Sequence, residues 1–372
     1  MSAQHWHFAR PDFAEKVFNL LVSGAVPAIT LFGPRRTGKT EFLLRDLGPL
    51  ADRQGHRVVY ASLWQSPVSP LATLIYELEE ARRIPSFQAR FDGGLRQMSV
   101  KLTLRDPFTG SKVAVDLSTL KDASSEMLLV LDQLLGQVAS RSHPTFLLLD
   151  EFQEVANGPG GADLVAALRT SLDKRKGALV SVFTGSSLYR LQAVFNRRTA
   201  PFFRFAQNIA LPDLDDGFVD HMLTAARRSN LGPIDRAEAL EAFEAFQKNP
   251  EFFRKWLRER VFNPASDKEA LLKQVETDLA AEFEFDHLWL GLTPLQRATA
   301  RMIAEKVPQP TGRNGLDFVE ALTGDRPPNT TRLQTARDTL ASRSILDKID
   351  GMWSISDPVL EDWIRARPRS DF

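Results

Sequence analysis

The sequence predicts an α/β fold: a parallel sheet with helices on both faces, then an all-helical segment, then a C-terminal unit of helices and a hairpin. In residues 1–213, short apolar runs alternate with segments of helical periodicity, which is typical of parallel strands joined by helices. In residues 214–285 only the helical periodicity remains. In residues 286–372, helical segments precede two apolar runs joined by Asp350-Gly351, a strong hairpin signal. We therefore predict three domains with these bounds.

The first predicted strand, residues 26–32, leads into a glycine-rich loop that reads GPRRTGKT. The loop fits the nucleotide-binding pattern G-x-x-x-x-G-K-[ST] at every fixed position. Its glycines let the backbone turn around phosphate oxygens, and Lys39 supplies a charge for the β- and γ-phosphates. The Thr40 hydroxyl is a ligand of the kind that Mg²⁺ takes. The predicted nucleotide-contacting residues are Gly33, Pro34, Arg35, Arg36, Thr37, Gly38, Lys39, Thr40 and Glu41.

Further elements of the first domain follow in the same alternation. A helix is predicted over 41–47, ending near Gly48-Pro49, and its N-terminus faces the expected anion. A strand at 57–64 precedes a helix at 70–83 with Ser69 as its N-cap. Alternating apolar positions predict a β-hairpin inserted at about 98–118. The remaining predicted elements are helices at 124–140 and 162–176 and strands at 145–149, 178–183 and 203–211.

A second motif follows the predicted strand at 145–149, where Asp150 and Glu151 stand next to each other. In a parallel sheet this strand end meets the same edge as the glycine loop. The first acid is then placed to hold Mg²⁺ through water, and the second to orient and deprotonate an attacking water. The next strand ends near Thr184 and Ser186, either of which could reach the γ-phosphate or the water. A helix N-cap explains Ser186 equally well.

Composition limits the remaining function classes. The 47 Lys and Arg balance the 47 Asp and Glu, so bulk charge does not favour nucleic acid. The chain has no cysteine, which excludes disulfides and thiolate metal sites and suits a reducing cytosol. The N-terminus lacks a signal-peptide pattern, and no apolar stretch is long enough to span a membrane. The sequence therefore predicts a cytoplasmic protein with no membrane partner.

The second and third predicted domains are read from periodicity. Helices are expected at 217–229, 235–248, 250–261 and 266–284, which together form a helical lid. The C-terminal unit has the layout of a winged helix, with a third helix at 329–340 and hairpin strands at 345–349 and 352–355. In that third helix Leu333, Ala336 and Leu340 share one face, while Arg332 and Gln334 point elsewhere and could reach a DNA groove. Because the unit is charge-balanced, double-stranded DNA and a protein partner both remain open.

These stretches together resemble a known family. The loop GPRRTGKT, the strand LLLDE, the strand end FTGSS and the C-terminal SISDPVLEDWI are similar to AAA+-related P-loop ATPases of the STAND kind. More narrowly they resemble the prokaryotic "archaeal ATPase" group with a C-terminal winged helix, distantly similar to origin-recognition ATPases. The resemblance implies a parallel P-loop NTPase sheet, an all-α lid and a winged helix, with ATP and Mg²⁺ bound between sheet and lid.

The resemblance also implies roles for several basic residues. Phe8-Ala9-Arg10 stands where the family has a Gly-Arg element that closes the adenine site, with Ala9 in place of the glycine. Arg204 corresponds to an arginine that contacts phosphate or a neighbouring subunit, with Arg197 and Arg198 as alternatives. Arg254 corresponds to a second sensor arginine. A homo-oligomer is the assembly that such an arginine would serve.

The leading hypothesis is a slow ATPase switch in which Mg-ATP binding and hydrolysis change how the winged helix sits on the core. Lys39, Glu151 and Arg204 are the predicted catalytic residues, and Thr40 and Asp150 the predicted metal ligands. The alternative is a regulator that binds ATP and DNA without hydrolysis.

Overall fold

The computed structural model describes residues 3–33, 35–63, 69–92, 101–105, 112–116, 125–157, 160–185, 195, 201–325, 329–349 and 351–372. Its strands are β1 (Ala28–Phe32), β2 (Val58–Ser62), β3 (Lys101–Arg105), β4 (Lys112–Asp116), β5 (Thr145–Asp150), β6 (Leu179–Gly185), β7 (Gln207–Ala210), β8 (Leu346–Ile349) and β9 (Met352–Ile355). Five of them form a parallel sheet in the order β2-β5-β6-β1-β7. The predicted parallel α/β class is confirmed.

Helices flank this sheet and then continue through the C-terminal half. Those of the first part are α1 (Pro11–Val22), α2 (Lys39–Glu41, Phe42–Leu47 and Gly48–Arg53 in succession), α3 (Pro70–Arg83), α4 (Phe87–Asp92), α5 (Ser125–Val138) and α6 (Gly161–Lys174). Those of the second part are α7 (Asp216–Arg228), α8 (Arg236–Ala245), α9 (Pro250–Phe262), α10 (Lys268–Glu282), α11 (Phe285–Leu290), α12 (Pro294–Ala304), α13 (Arg313–Thr323), α14 (Thr330–Ser342) and α15 (Pro358–Ala366).

The sheet is buried on both faces because alternate residues of each strand enter different cores. On β5, Phe146 and Leu148 join a cluster with α1 and α2. Leu147 and Leu149 join a second cluster with α3, α5 and α6. Successive side chains of a strand point to opposite faces, so a central strand between two helical layers must be apolar throughout. This explains why the strand appears in the sequence as an unbroken apolar run.

Helix α2 is longer than predicted and changes form within its length. The sequence predicts its end near Gly48-Pro49, but the helix continues to Arg53. Residues Phe42–Leu47 are in π form, and the Gly48 N–H donates to the Leu43 carbonyl. Proline has no N–H and its ring crowds the carbonyl four residues earlier, whereas a wider π turn accommodates it. Pro49 therefore follows a local change in helix type and does not end the helix.

The last strand of the sheet, β7, is shorter than the predicted range 203–211. Residues 201–205 form a turn in which Arg204 has a left-handed φ of 55°, and that conformation cannot continue a strand. Phe202 and Phe205 are buried there. Phe202 packs with Phe152, Phe183 and Phe195 at ring-centroid distances of 5.2 to 5.7 Å, and Phe205 lies 5.3 Å from Phe202. Aromatic packing thus overrides the strand propensity of this segment.

The two hairpins are observed where the sequence predicts them. Strands β3 and β4 pair antiparallel, and so do β8 and β9. Helix α14 buries Leu333, Ala336 and Leu340, the face predicted from spacing. Helices α7–α12, α14 and α15 contribute to one hydrophobic cluster that spans both sides of the predicted boundary at 285. Within the described residues no helix has the length and apolar character needed to cross a bilayer.

We expect Gly48→Ala to destabilise the protein by about 1–3 kcal/mol, the usual cost of overpacking a core. A Cβ at Gly48 would lie 2.6 Å from Phe87 Cε1 and 2.8 Å from the Leu43 carbonyl oxygen. Thermal or chemical denaturation measures the effect. Gly291→Ala is the matched control, because the nearest atoms to its Cβ are at 3.5 Å. Equal stability of the two variants would contradict this account of α2.

Candidate nucleotide-binding site

The glycine loop connects β1 to α2 through two left-handed residues. Arg36 has a φ of 66° and Gly38 a φ of 92°. No atom lies within 4 Å of a Cβ built on Gly38, so its φ, not a lack of space, calls for glycine there. The chain turns back so that the Lys39 ammonium donates a hydrogen bond to the Gly33 carbonyl at 2.8 Å. The loop is therefore closed around its own lysine.

Lys39 is buried, with 5% of its surface exposed. Burial lowers its pKa to about 8, against the opposing effect of the carboxylates of Glu151, Asp150 and Asp347. Lys39 is the residue predicted to supply charge for the β- and γ-phosphates, and that role stays a prediction.

Asp150 is buried and accepts hydrogen bonds from three hydroxyl groups. Thr40 Oγ1 donates to Asp150 Oδ2 at 2.7 Å, and Tyr60 donates to the same oxygen at 3.1 Å. Thr184 donates to Oδ1. Burial, followed by the Asp150 carboxylate, raises the pKa of Tyr60 and keeps its hydroxyl a donor. No sequence motif marks Tyr60, whose strand β2 pairs with β5 in a register that sets Ser62 opposite Asp150.

Thr40 and Asp150 together form an oxygen donor set of the kind that suits Mg²⁺. Magnesium in nucleotide sites is bound by one or two protein oxygens, waters and phosphates, rather than by an all-protein cage. In the described part of the chain, no group of three or more His, Cys, Asp or Glu is arranged to hold a metal. The residues present therefore fit Mg²⁺ bound together with a phosphate.

Glu151 lies next to Asp150 but has a different environment. Its φ of 55° is left-handed, a conformation that costs a non-glycine residue roughly 1–3 kcal/mol when strained. Its carboxylate accepts a hydrogen bond from Gln153 and lines the cavity beside the loop. The backbone turn thus separates the two acids. Asp150 is buried at the C-terminal end of β5, and Glu151 lines the cavity.

The cavity has a volume of about 310 Å³, within the range of small-molecule sites. It is lined by the loop, Thr40 and Glu151, and also by residues of the N-terminal segment, α2 and the beginnings of α7 and α9. Those further lining residues are His7, Phe8, Arg10, Glu41, Phe42, Asp46, Leu214, Phe218, Pro250, Glu251 and Arg254.

Polar contacts hold the N-terminal segment against this cavity. Arg10 donates to the Thr37 carbonyl at 3.2 Å, and His7 Nε2 is 2.8 Å from Asp46 Oδ1. Arg254 donates to the Trp6 carbonyl at 2.6 Å, and burial lowers its pKa. The resemblance predicted Arg10 and Arg254 here. Neither His7 nor Asp46 stands out in the sequence, because isolated residues of these types carry no pattern.

The loop also contacts the helical segment directly. Arg36 pairs with Glu251 at 2.6 Å, and its guanidinium lies 3.6 Å from the Phe283 ring centroid. The Asn249 side chain donates to the Arg35 carbonyl at 3.4 Å and caps α9 through its amide oxygen. The Arg35 carbonyl and the Arg36 side chain therefore hold the loop to α9 and to Phe283, the residue that follows α10.

Some predicted residues are not brought to the cavity. Arg204 is exposed, lies 5.3 Å from the Phe203 ring centroid and is not part of the lining. Thr184 contacts Asp150 within the sheet edge and does not line the cavity. Pro34, Ser186, Arg197 and Arg198 lie outside the described residues. The roles given to Arg204 and Ser186 stay predictions.

Comparisons with known proteins identify the fold. No family model matches the chain, and no curated protein sequence matches it. The Walker-type ATPase PABY2304 of Pyrococcus abyssi superposes with a TM-score of 0.67 at 20% identity, covering 96% of each chain. The ORC2 protein of Aeropyrum pernix, in its ADPNP-ADP complexes, has a TM-score of 0.57 at 16% identity and covers 98% of this chain and 96% of that one. The predicted resemblance to distant origin-recognition-like P-loop ATPases is confirmed at the level of fold.

We expect affinity for a nucleoside triphosphate to fall as pH rises through the pKa of Lys39, about 8 in this site. The triphosphate binds the ammonium form, and a lowered pKa brings deprotonation into the accessible range. Affinity should therefore drop about tenfold between pH 7 and pH 9. Calorimetric titration across this range measures it. Lys39→Ala should bind weakly and without this pH dependence, and a flat wild-type profile would contradict the assignment.

Proposed function

We propose that this chain is a Mg²⁺-dependent ATPase switch of the AAA+/STAND kind, with turnover expected to be slow. One observation carries the proposal: a buried Asp150 bonded to Thr40, with Glu151 facing the cavity beside the same loop. A lysine, a hydroxyl and two acids of different burial are the groups that nucleoside triphosphate hydrolysis needs. The structures of the Walker-type ATPase and of ORC2 with ADPNP and ADP support it through the shared fold.

In this proposal the protein places positive charge against the phosphates and one proton acceptor, Glu151, beside the attacking water. The loop amides and Lys39 bind the β- and γ-phosphates. Thr40 and Asp150 would hold Mg²⁺, which supplies positive charge to the phosphate oxygens when bound. Glu151 orients a water molecule and takes its proton as the water oxygen bonds to the γ-phosphorus. The bond from that phosphorus to the β–γ bridging oxygen breaks, and ADP leaves with the electron pair.

The three hydroxyl groups that donate hydrogen bonds to Asp150 would hold its carboxylate in place for the metal. Hydrogen bonds that donate to a carboxylate favour its charged form. Thr184 and Tyr60 reach Asp150 from the two strands on either side of β5. They would keep the carboxylate oriented when the Thr40 hydroxyl turns toward a metal ion.

The switch itself would act through the helical segment. Residues 1–213, 214–285 and 286–372 are the proposed ATPase, lid and winged-helix domains. The Arg36–Glu251 pair joins the loop to α9, and one hydrophobic cluster joins α9 to α14 and α15. A change in the loop on hydrolysis would therefore be transmitted to the C-terminal unit.

Glu151→Gln should retain ATP binding and lose turnover. An amide cannot accept the proton of the attacking water, and general-base catalysis contributes about 10²–10⁴-fold in rate. Phosphate release and equilibrium binding measure the two effects separately. Glu154→Gln, in the 3₁₀ helix Phe152–Asn157 that follows Glu151, is the matched control and should hydrolyse ATP like the wild type.

Other outcomes would change the proposal. Turnover by Glu151→Gln at the wild-type rate would assign water activation to another group. A wild type that binds ATP tightly and releases no phosphate would favour the alternative, a non-hydrolysing ATP-dependent DNA-binding regulator.

The proposed partner of the C-terminal unit is double-stranded DNA or a protein. Arg332 and Gln334 are exposed on α14, the helix that would enter a groove. Arg337 already pairs with Asp338 at 2.7 Å and lies 4.8 Å from the Trp353 ring centroid. Arg343 donates to the Gly291 carbonyl. Two of the candidate cations of this unit therefore already have partners within the described chain.

If this unit binds DNA, the salt dependence should be shallow. With Arg332, Arg337, Arg343 and Lys348 as the cations, the slope of log affinity against log salt should be about −2 to −4. Arg332→Ala should flatten it by about one unit if Arg332 meets phosphate. Arg228→Ala, an exposed cation on α7, is the control. Titrations with mixed duplexes in ATP and in ADP measure this, and no binding at low salt in either nucleotide would leave the protein partner.

A further inference from the structure

A second cavity lies at the edge of the parallel sheet opposite the glycine loop. It has a volume of about 330 Å³, in the range of small-molecule sites. Gly55, His56 and Arg57 line it immediately before β2, and His143 and Thr145 line it at the start of β5. The glycine loop follows the end of β1 in the same parallel sheet, so the length of the strands separates the two cavities. A five-residue strand such as β2 spans roughly 16 Å.

Arg57 supplies a guanidinium group to this cavity. Within the described residues, no hydrogen bond or ion pair involves its side chain, and of its three nitrogens only Nε is buried. The two terminal Nη groups are therefore accessible in the cavity. Two adjacent Nη groups match two oxygens of one oxyanion.

A neighbouring arginine adds to the positive charge at this place. Burial lowers the pKa of Arg90, and the carboxylates of Glu77 and Asp52 oppose that shift. The charge of Arg57 lowers the pKa of Arg90 further, so the two guanidinium groups repel each other. An anion bound to Arg57 would relieve this repulsion.

His56 supplies a hydrogen-bond acceptor to the same cavity. Its Nδ1 lies 2.9 Å from the Pro144 carbonyl oxygen. A carbonyl only accepts, so Nδ1 carries the proton and Nε2 of the neutral ring keeps a lone pair. Phe18 and Phe146 pack edge-to-face on this ring, at 5.2 and 5.3 Å between centroids, and hold its orientation. Nε2 has no partner in the described part of the chain and is accessible, since it is absent from the buried unpaired atoms.

One carboxylate, that of Asp52, also lines the cavity and would repel an anion. Three donors at the start of α4 offset its charge: the Phe87 N–H at 3.0 Å, the Gln88 N–H at 3.3 Å and the Ser86 hydroxyl at 3.3 Å. Hydrogen bonds of this kind occupy the carboxylate oxygens. Asp52 is therefore engaged within the chain, whereas the Nη groups of Arg57 are available to a ligand.

We propose that this cavity binds a phosphate group together with a hydroxyl of the same molecule. Arg57 Nη1 and Nη2 donate to two phosphate oxygens, and the hydroxyl donates to His56 Nε2. That hydroxyl is either the P–OH of inorganic hydrogenphosphate or the alcohol of a small phosphate ester. The site is separate from the proposed nucleotide site and does not depend on the proposed function.

The lone pair of His56 distinguishes this ligand from other tetrahedral anions. Sulfate has the shape and charge of hydrogenphosphate but no proton to donate. In this cavity a sulfate oxygen would face the Nε2 lone pair, and a site built to bind a hydroxyl rejects an analogue that lacks it. A phosphate ester without an alcohol has the same defect. A merely cationic surface would bind all these anions alike.

Calorimetric titrations of the full chain with inorganic phosphate, glycerol 3-phosphate, propyl phosphate and sulfate test the proposal. They are made at pH 8, the upper limit of the range in which histidines ordinarily change charge. Phosphate or glycerol 3-phosphate should bind about 10- to 100-fold more tightly than sulfate and propyl phosphate. The tighter of the first two identifies the free ion or the ester as the ligand. If neither exceeds sulfate and propyl phosphate, or if none of the four binds, the proposal is overturned.

Substitutions separate this cavity from the glycine loop. Arg57→Gln should weaken binding of the preferred probe about 10- to 100-fold, because it removes the charge-assisted hydrogen bonds. The matched control is Arg53→Gln, which removes an exposed charge outside the lining and should bind like the wild type. Lys39→Ala should also bind the probe like the wild type, since Lys39 lines the other cavity. Binding lost in Lys39→Ala and kept in Arg57→Gln would assign the anion to the loop and overturn the proposal.

His56→Phe tests the acceptor, because it retains an aromatic ring against Phe18 and Phe146 and removes Nε2. Thermal unfolding shows whether the variant is folded, and Arg57→Gln tests the site independently if it is not. In the folded variant, phosphate and sulfate should bind with about equal affinity. Selectivity for phosphate that persists in folded His56→Phe would overturn the role given to His56.

Discussion

The carboxylate of Asp150 is the point at which the sheet, the loop and α2 are held together. It is 2% exposed, and burying a charge in a protein is unfavourable unless hydrogen bonds compensate. Three hydroxyls do so, from three separate elements: Thr40 of α2, Tyr60 of β2 and Thr184 of β6. Only the end of β5 can receive all three, because β5 lies between β2 and β6. The strand order therefore determines where an acid with these three hydroxyl partners can lie, and Asp150 is the acid proposed to hold the metal.

The parts of the fold that could be predicted from sequence are those with a repeated or contiguous signal. The apolar runs of β1, β5 and β6 predict the parallel sheet that the structure shows, and the loop from Gly33 to Thr40 predicts a phosphate site at its edge. The cap at Ser69 is confirmed as well, since its side chain accepts from Ala72 N. In each case neighbouring residues carry the information, so no tertiary contact is needed to interpret it.

The rest depends on contacts between distant segments. Asp46 lies 39 residues from its partner His7, and Tyr60 lies 90 residues from Asp150. Neither pair has a spacing that a sequence pattern can capture. The shorter β7 depends on phenylalanines that pack across the sheet, and the continuation of α2 depends on a local change to π form. Tertiary packing overrides local propensity at each of these places.

Asp347 of the β8–β9 hairpin influences the charge of Lys39, a residue far from it in the sequence. It is 4% exposed, and its charge acts on the Lys39 ammonium. A partner that draws β8 away from the loop would remove a negative charge from the neighbourhood of the incoming phosphates and so tighten nucleotide binding. Thermodynamic linkage makes this effect reciprocal, so bound nucleotide would raise the affinity for that partner by the same factor. Partner binding at β8 and nucleotide binding at the loop would therefore change each other's affinity through the Asp347 carboxylate.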